Sequence, residues 1–356
     1  MKFKEFLLSF ERLLAESPRE KLEAGVPYVF LSDLHLGDGS SRDDLAPNRG
    51  IVMNSLSRWY LDRGFVLVLN GDIEDLTKFK YKEIMNSWAG LYDILDAFAA
   101  KGRLRRILGN HDLDLLRRDD YPYDLLHSLA LEWKGKTLLA FHGHQASRFF
   151  MNHDYLSEII VRYLAKPLAI RNTSVSRDST YRFKTERLIY RASRRFGIVS
   201  ITGHTHRPLF ESLSKYDSLR WAIEDALREY TRVDEASRRV IAEKIASYRH
   251  EIRRLRKREI DLRLSRSLYE EHDLLIPSPF NSGCGTGKHG ITAIEIQGGG
   301  ISLVQWTGAK GPRDYVERES LRSEALPNSP YSRYTLRSAL LDEVFARVEL
   351  LGNRVD

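Results

Sequence analysis

Between Tyr28 and His206 five short apolar runs each stop at a cluster of Asp, Asn or His, and this repeated ending limits the choice of fold. Tyr28–Leu31 leads into Ser32-Asp33-Leu34-His35, and Phe65–Leu69 into Asn70-Gly71-Asp72-Ile73-Glu74-Asp75. Leu104–Leu108 leads into Gly109-Asn110-His111-Asp112, Thr137–Phe141 into His142-Gly143-His144, and Gly197–Ile201 into Thr202-Gly203-His204-Thr205-His206. Apolar runs of this length, bounded by turn residues, read as buried strands. Strands of that kind present polar groups in the crevice at the carboxyl edge of an α/β sheet. Asp33 and His35 stand two positions apart, so their side chains can leave the strand end on the same side.

Helical spacing fills the gaps. Ile51–Arg63 carries Met53, Leu56, Trp59 and Tyr60 on one face, and Tyr81–Lys101 carries Ile84, Trp88, Leu91, Ile94, Leu95 and Phe98. A further helix is expected over Tyr123–Leu131, while Gly39 to Gly50 reads as a polar loop. Strands alternating with helices predict a layered α/β architecture.

In order, Asp33-x-His35, Gly71-Asp72-x-x-Asp75, Gly109-Asn110-His111-Asp112, His142-Gly143-His144 and Gly203-His204-Thr205-His206 resemble the signature of the calcineurin-like metallophosphoesterases. The match spans roughly Tyr28 to Pro208, and Asn281-Ser282-Gly283 resembles a last piece of it. The resemblance implies an α/β fold, a four-layer αββα sandwich with helical insertions, holding two divalent metal ions at the sheet edges. By motif matching, Asp72 would bridge the ions. Asp33, His35 and His206 would complete one protein shell, and Asn110, His142 and His204 the other. Two such ions neutralise a phosphoryl group and produce a bridging hydroxide that attacks a mono- or diester in line. A mixed oxygen and imidazole set suits manganese foremost, with iron, zinc or cobalt as alternatives, and suits calcium poorly. His111 matches the family's general acid, and Asp75 the carboxylate that orients it and raises its proton affinity.

Neighbouring polar residues receive plainer expectations. His144 stands either behind the ligands or packed in the core, and Asp112 is a turn or supporting group. Asp38, His153 and Asp154 are ordinary polar residues. Cys284, in Asn-Ser-Gly-Cys-Gly, has no base or second thiol beside it in sequence and is expected to be structural.

About 60 residues separate His142 from His204, more than a strand connection needs. Within them Tyr155–Leu168 and Tyr181–Phe196 show helical spacing, resembling the helical cap of the UDP-2,3-diacylglucosamine pyrophosphohydrolases. From Gly143 to Arg207 there are twelve Lys/Arg against four Asp/Glu, an excess larger than the +7 of the whole chain. A basic segment beside an acidic site suits an anionic, phosphate-containing substrate. Arg171, Arg177, Arg182 and Arg187 are its expected contacts, since arginine favours bidentate phosphate pairing. Two departures leave the substrate open. Those pyrophosphohydrolases carry Arg at the position of His111 and Glu at that of Asp75, and the protein Ser/Thr phosphatases carry Arg-Gly where this chain has Leu76-Thr77.

The expected organisation is an N-terminal helix over 1–25 and a phosphoesterase domain over 26–310. The domain holds a basic cap at 145–196 and a helical hairpin at 216–272, and a helical tail follows over 311–356. The hairpin region lacks Gly and Pro, and Asp234 is placed to cap its second helix. Its use is structural packing or, alternatively, homodimerisation. Ile291–Ile296 and Ile301–Trp306, joined through Gly298-Gly299-Gly300, read as a β-hairpin expected to complete the second sheet. A single cysteine excludes an intrachain disulfide and fits a reducing cytoplasm. No stretch reaches transmembrane length. The leading reading is a cytoplasmic phosphoesterase. A pyrophosphohydrolase of a UDP-sugar or lipid-like nucleotide diphosphate is the nearest alternative. A nuclease-type phosphodiesterase or nucleic-acid binder is less favoured, because few aromatic residues interleave the arginines. A scaffold that has lost its chemistry is expected to show broken ligand positions, and none is broken.

Overall fold

The computed structural model describes residues 3–146, 179–213, 215–258 and 276–352. In chain order the strands are β1 (Arg19–Lys21), β2 (Tyr28–Leu31), β3 (Val66–Asn70), β4 (Leu104–Ile107), β5 (Leu125–Leu126), β6 (Ser128–Trp133) and β7 (Lys136–Phe141). They continue as β8 (Val199–Thr202), β9 (Pro279–Asn281), β10 (Ile291–Gln297), β11 (Gly300–Thr307), β12 (Arg322–Ala325) and β13 (Ser332–Leu340). The helices are α1 (Phe3–Glu16), α2 (Arg49–Ser55, running on as one π-turn stretch over Leu56–Leu61), α3 (Tyr81–Ser87), α4 (Ala89–Ala99) and α5 (Ser179–Phe196). Then come α6 (Lys215–Tyr230), α7 (Glu235–Arg258), α8 (Asp314–Glu319) and α9 (Leu341–Leu351).

Two sheets result. One has eight strands in the order β12-β13-β11-β10-β2-β3-β4-β5, and the other five in the order β1-β6-β7-β8-β9. The stretch β2 to β5 is parallel, while β10, β11, β13 and β12 continue it antiparallel.

Strand periodicity assigns each apolar side chain to a layer. Tyr28, Phe30, Val66 and Val68 point between the sheets, where they meet Leu138, Ala140, Val199 and Ile201. The alternate residues Val29, Leu31, Leu67 and Leu69 face the opposite way, against Val52, Leu56, Leu91, Leu95 and Phe98 of α2 and α4. On the far face of the smaller sheet, Leu139 and Phe141 are covered by Phe6, Phe10 and Leu13 of α1 and by Ile189 and Ala192 of α5. The result is helix, sheet, sheet, helix: a four-layer α/β sandwich. Each fully buried side chain of this kind stabilises by about 1.5–3 kcal/mol, so the layers are held chiefly by apolar burial.

Several expectations are corrected. Tyr123–Leu131 is not a helix but holds β5 and the start of β6, because β6 doubles back on β7 through a two-residue turn. Lys134 and Gly135 both adopt positive φ there, 47° and 78°, the hairpin geometry that the right-handed strand twist favours. The helix expected over Tyr81–Lys101 breaks at Trp88, whose indole N–H donates to Asp43 at 2.9 Å while Arg49 stacks on its ring. The β10–β11 hairpin forms as expected but joins the sheet of β2, antiparallel to it, rather than the second sheet. The tail is not wholly helical. β12 and β13 add two strands to the larger sheet, leaving α8 and α9 as its helices. Asp234 caps α7 as expected, accepting the Ser237 N–H at 2.8 Å. The cap segment Tyr155–Leu168 and the end of the hairpin beyond Arg258 lie outside the described residues.

Candidate metal centre

At the carboxyl ends of β2, β3 and β8 the chain turns sharply through left-handed residues. Asp33 (φ 53°), His35 (φ 52°), Asp72 (φ 53°), His204 (φ 65°) and His206 (φ 54°) all occupy the region that L-residues seldom adopt. Five residues so placed within one cluster store strain, a condition characteristic of functional sites. Backbone bonds hold them there. Asp33 N–H donates to Gly71 O, and His35 N–H to Asp72 O, both at 3.0 Å. The N–H of His204 donates to both carboxylate oxygens of Asp33, at 3.1 and 2.9 Å. Two glycines are obligatory. A Cβ on Gly71 would lie 2.4 Å from the His142 ring, and one on Gly109 would lie 2.3 Å from the Asp72 backbone nitrogen.

Among the described residues three groups of side chains could hold a metal ion; one, His35 with Asp75 and His111, overlaps the proposed general acid, and the other two gather the candidate ligands. Asp33, His35 and His206 form one, and Asp72, His142 and His204 the other, with the ligand atoms of each group within 4.8 Å of one another. Within the first, His206 Nε2 lies 3.1 Å from Asp33 Oδ1 and 3.1 Å from His35 Nε2. Within the second, His142 Nε2 lies 3.2 Å from Asp72 Oδ2. That same Asp72 oxygen is 3.9 Å from His35 Nε2, so one carboxylate faces an imidazole of each group. The His142 tautomer is fixed from behind: Nδ1 points at Asn70 O at 2.9 Å, leaving Nε2 for the cluster.

The donor set passes a chemical test for cations. Asn110 Oδ1, His142 Nε2 and His204 Nε2 are buried and have no hydrogen-bond partner among the described residues. Buried polar atoms are almost always paired, and three unpaired ones beside two buried carboxylates fit a site that a divalent ion completes.

Electrostatics follow from the same geometry. Burial alone would raise the Asp72 carboxyl, yet His142 and His111 beside it hold it well below the usual carboxylate range. Asp33 is likewise lowered against its burial by His206 and His142. Burial lowers His35 to about 4 and His204 to about 3, with neighbouring imidazoles adding to the effect. For His142 burial is outweighed by Asp72 and Asp33, which raise it to about 9, and Asp33 raises His206 well above the ordinary value.

His111 stands at the open side of the cluster, 17% exposed. Its Nδ1 is 3.0 Å from Asp75 Oδ1, its Nε2 is 3.9 Å from Asp72 Oδ2, and its backbone N–H donates to Asp72 Oδ1 at 2.8 Å. Burial opposes its protonation, but Asp72 and Asp75 prevail and raise its pKa. Asp75 is itself held by the Thr77 hydroxyl at 2.6 Å and by Lys78 Nζ at 2.8 Å.

Several residues support the ligands; Asp112 and Asn281 stand out in the sequence, whereas Arg106, Glu74 and Glu186 do not. Asp112 is a buried strut: it accepts the N–H groups of Ile73 at 2.8 Å and Gly109 at 2.6 Å, and pairs with the buried Arg106. Arg106 also pairs with Glu74 at 2.5 Å, and Tyr92 and Tyr121 donate their hydroxyls to Glu74. Glu186 of α5 accepts the Thr205 hydroxyl at 2.8 Å and pairs with Arg207, clasping the loop that carries His204 and His206. Asn281 supports the same loop by donating to Gly203 O at 2.7 Å. Cys284 corrects the expectation of a thiol without a base: the His206 imidazole hydrogen-bonds it and, against burial, lowers its pKa. His144 is fully buried beside His142, with ring centres 5.4 Å apart, and burial holds its pKa well below the ordinary value. Of the cap arginines, Arg171 and Arg177 lie outside the described residues. Arg182 lies on α5, and Arg187 is half-buried there beside Glu186.

No protein-family model matches the chain, and no curated protein matches it by sequence. Among solved structures it is similar to a Vps29 single mutant from Entamoeba histolytica (12% identity, TM-score 0.33, covering 80% of this chain and 94% of that one). It is also similar to Yfce, a phosphoesterase from E. coli (11% identity, TM-score 0.32, 78% and 91%). A third is a conserved protein of Streptococcus pneumoniae described as a predicted phosphoesterase (12% identity, TM-score 0.27, 87% and 97%). Among the described residues no helix is long and apolar enough to cross a membrane.

Proposed function

We propose that this chain is a dinuclear metal-dependent phosphoesterase of the calcineurin-like class. The observation that carries the reading is the pair of ligand groups meeting at Asp72, with His111 on their open side. Asp33, His35, Asp72 and His206 would hold one ion, and Asp72, Asn110, His142 and His204 the other. Bound there, divalent ions such as manganese, iron, zinc or cobalt would supply charge neutralisation at the phosphoryl oxygens and acidify a water. The chain's own part is positioning and proton transfer. Asp75 accepts the Nδ1 proton of His111 and, with Asp72, favours the imidazolium, whose second proton on Nε2 would pass to the leaving oxygen of a phosphate mono- or diester. Glu186, Asn281 and Asp112 keep the loops in register so that ligands from both sheets converge.

The test is metal content measured together with turnover of a monoester, a bis-ester and a nucleotide diphosphate, each with added manganese. Two metals per chain with turnover supports the reading, and the preferred ester separates a phosphomonoesterase from a diesterase or pyrophosphohydrolase. Asp72→Ala is expected to lose metal and turnover together. A wild-type chain that takes up no metal and hydrolyses none of the esters would overturn it.

A further inference from the structure

Beside the centre lies a cavity of about 280 Å³ whose lining begins at His206 and Cys284 and continues over Pro208, Phe210, Leu219 and Val316. This is just below the roughly 300–1,000 Å³ of pockets that take drug-sized ligands. Its walls come from segments that carry no candidate ligand: α6 supplies Leu219, β11 Leu303, α8 Val316 and β13 Leu336. Two of the charged groups of the lining have partners within the protein. Arg313 donates to Glu251 at 2.9 Å, and Glu319 takes a hydrogen bond from Tyr248. The interior is mostly apolar, with Lys288 and Arg337 adding cationic groups to its lining. It is contiguous with the phosphate-binding end through one ring, because His206 both lines the cavity and stands 3.1 Å from Asp33.

Resting on the function proposed above, we infer that the substrate is a phosphate ester with a largely apolar organic group, and that this cavity receives that group. Apolar surface is drawn from water in proportion to the area buried, so selectivity should grow with the length of the group until the cavity is full. The proposal also gives α6 and α8 a use: they wall a pocket that the motif-bearing strands alone would leave open.

The manganese-loaded full chain is assayed with methyl 4-nitrophenyl phosphate and octyl 4-nitrophenyl phosphate. Both release the same leaving group, so the comparison isolates the second substituent. The expected result is a kcat/KM at least about tenfold higher for the octyl ester. Octylphosphonate should displace a bound metal-site inhibitor such as inorganic phosphate at least about tenfold more effectively than methylphosphonate, a readout that needs no turnover. Leu219→Trp, which fills the cavity from α6, should bring the octyl-to-methyl ratio towards one. Equal kcat/KM for the two esters in the wild type, with equal displacement by the two phosphonates, would overturn the inference while leaving the phosphoesterase reading intact. A chain that binds no metal and turns over neither ester overturns both.

Discussion

At the scale of single residues the proposed chemistry rests on His111, because it is the imidazole at the cluster's open edge and its Nδ1 meets the Asp75 carboxylate. His111→Ala is expected to keep full metal content and lose turnover by about 10²–10⁴-fold, the usual worth of a positioned acid. The loss should shrink for esters with good leaving groups, which need no proton. Metal analysis alongside kinetics with 4-nitrophenyl and alkyl esters checks this, and an emptied centre would reassign His111 as a ligand. Asp75→Asn should retain metal and lose less than His111→Ala, since Thr77 still lies 3.2 Å from His111 Nδ1. These two residues could be read from the sequence because each falls at a fixed offset from a strand end. The left-handed backbone at Asp33, His35, Asp72, His204 and His206 could not, because nothing in Asp or His as a residue type demands positive φ.

At the scale of elements, the strand ends are held by loops that depend on partners distant in sequence. Asn281 of β9 and Glu186 of α5 both grip the turn after β8, although they lie 78 and 19 residues from their contacts there. Glu186→Gln removes the charge that pairs with Arg207. The expected outcome is a metal affinity about 10–100-fold weaker with the fold retained, the usual cost of losing a group that orients ligands. Competition titration with a metal chelator would measure it, and unchanged affinity would make Glu186 a mere surface clasp. Arg106 is a sterner case, buried at 1% exposure between Glu74 and Asp112. Arg106→Met leaves two buried carboxylates without their cation and should cost about 3–5 kcal/mol, read as a lower thermal midpoint.

Elements also divide cleanly into those the sequence displays and those it conceals. β2, β3, β7 and β8 announce themselves as apolar runs with polar ends, whereas β4, Leu-Arg-Arg-Ile, is marked chiefly by the polar cluster that follows it. β5 and β6 do not, since Tyr123–Leu131 offers apolar residues at spacings that suit either period, and only pairing with β7 decides. β13 hides for another reason: the residues of Ser332–Leu340 that it buries are the polar Arg333 and Thr335, so no apolar alternation marks its inward face. Cys284 meets His206 across 78 residues, a contact of the folded chain alone.

For the whole molecule, the centre joins the two sheets. Asp33, His35, Asp72 and Asn110 follow strands of the eight-stranded sheet, whereas His142, His204 and His206 follow strands of the five-stranded one. Ions held by both sets would act as a staple between layers that otherwise adhere through apolar burial. Binding to the folded chain alone stabilises it by about 2.7 kcal/mol at a ligand concentration a hundred times the dissociation constant. Domains somewhat smaller than this one move by about 2–4 °C per kcal/mol, so saturating manganese should raise the thermal midpoint by several degrees and a chelator should reverse it. Asp72→Asn separates the two parts of this expectation. Without metal the variant should already melt below the metal-free wild type, because His142 and His111 stabilise the ionised Asp72 carboxylate in the folded chain. It should gain little from manganese, because the oxygen facing both ligand groups no longer carries charge. Hydrogen exchange localises the effect: protection should rise on metal addition at the ends of β2, β3, β7 and β8 together. If it rises in the turns of one sheet only, the ions bind but do not bridge the layers.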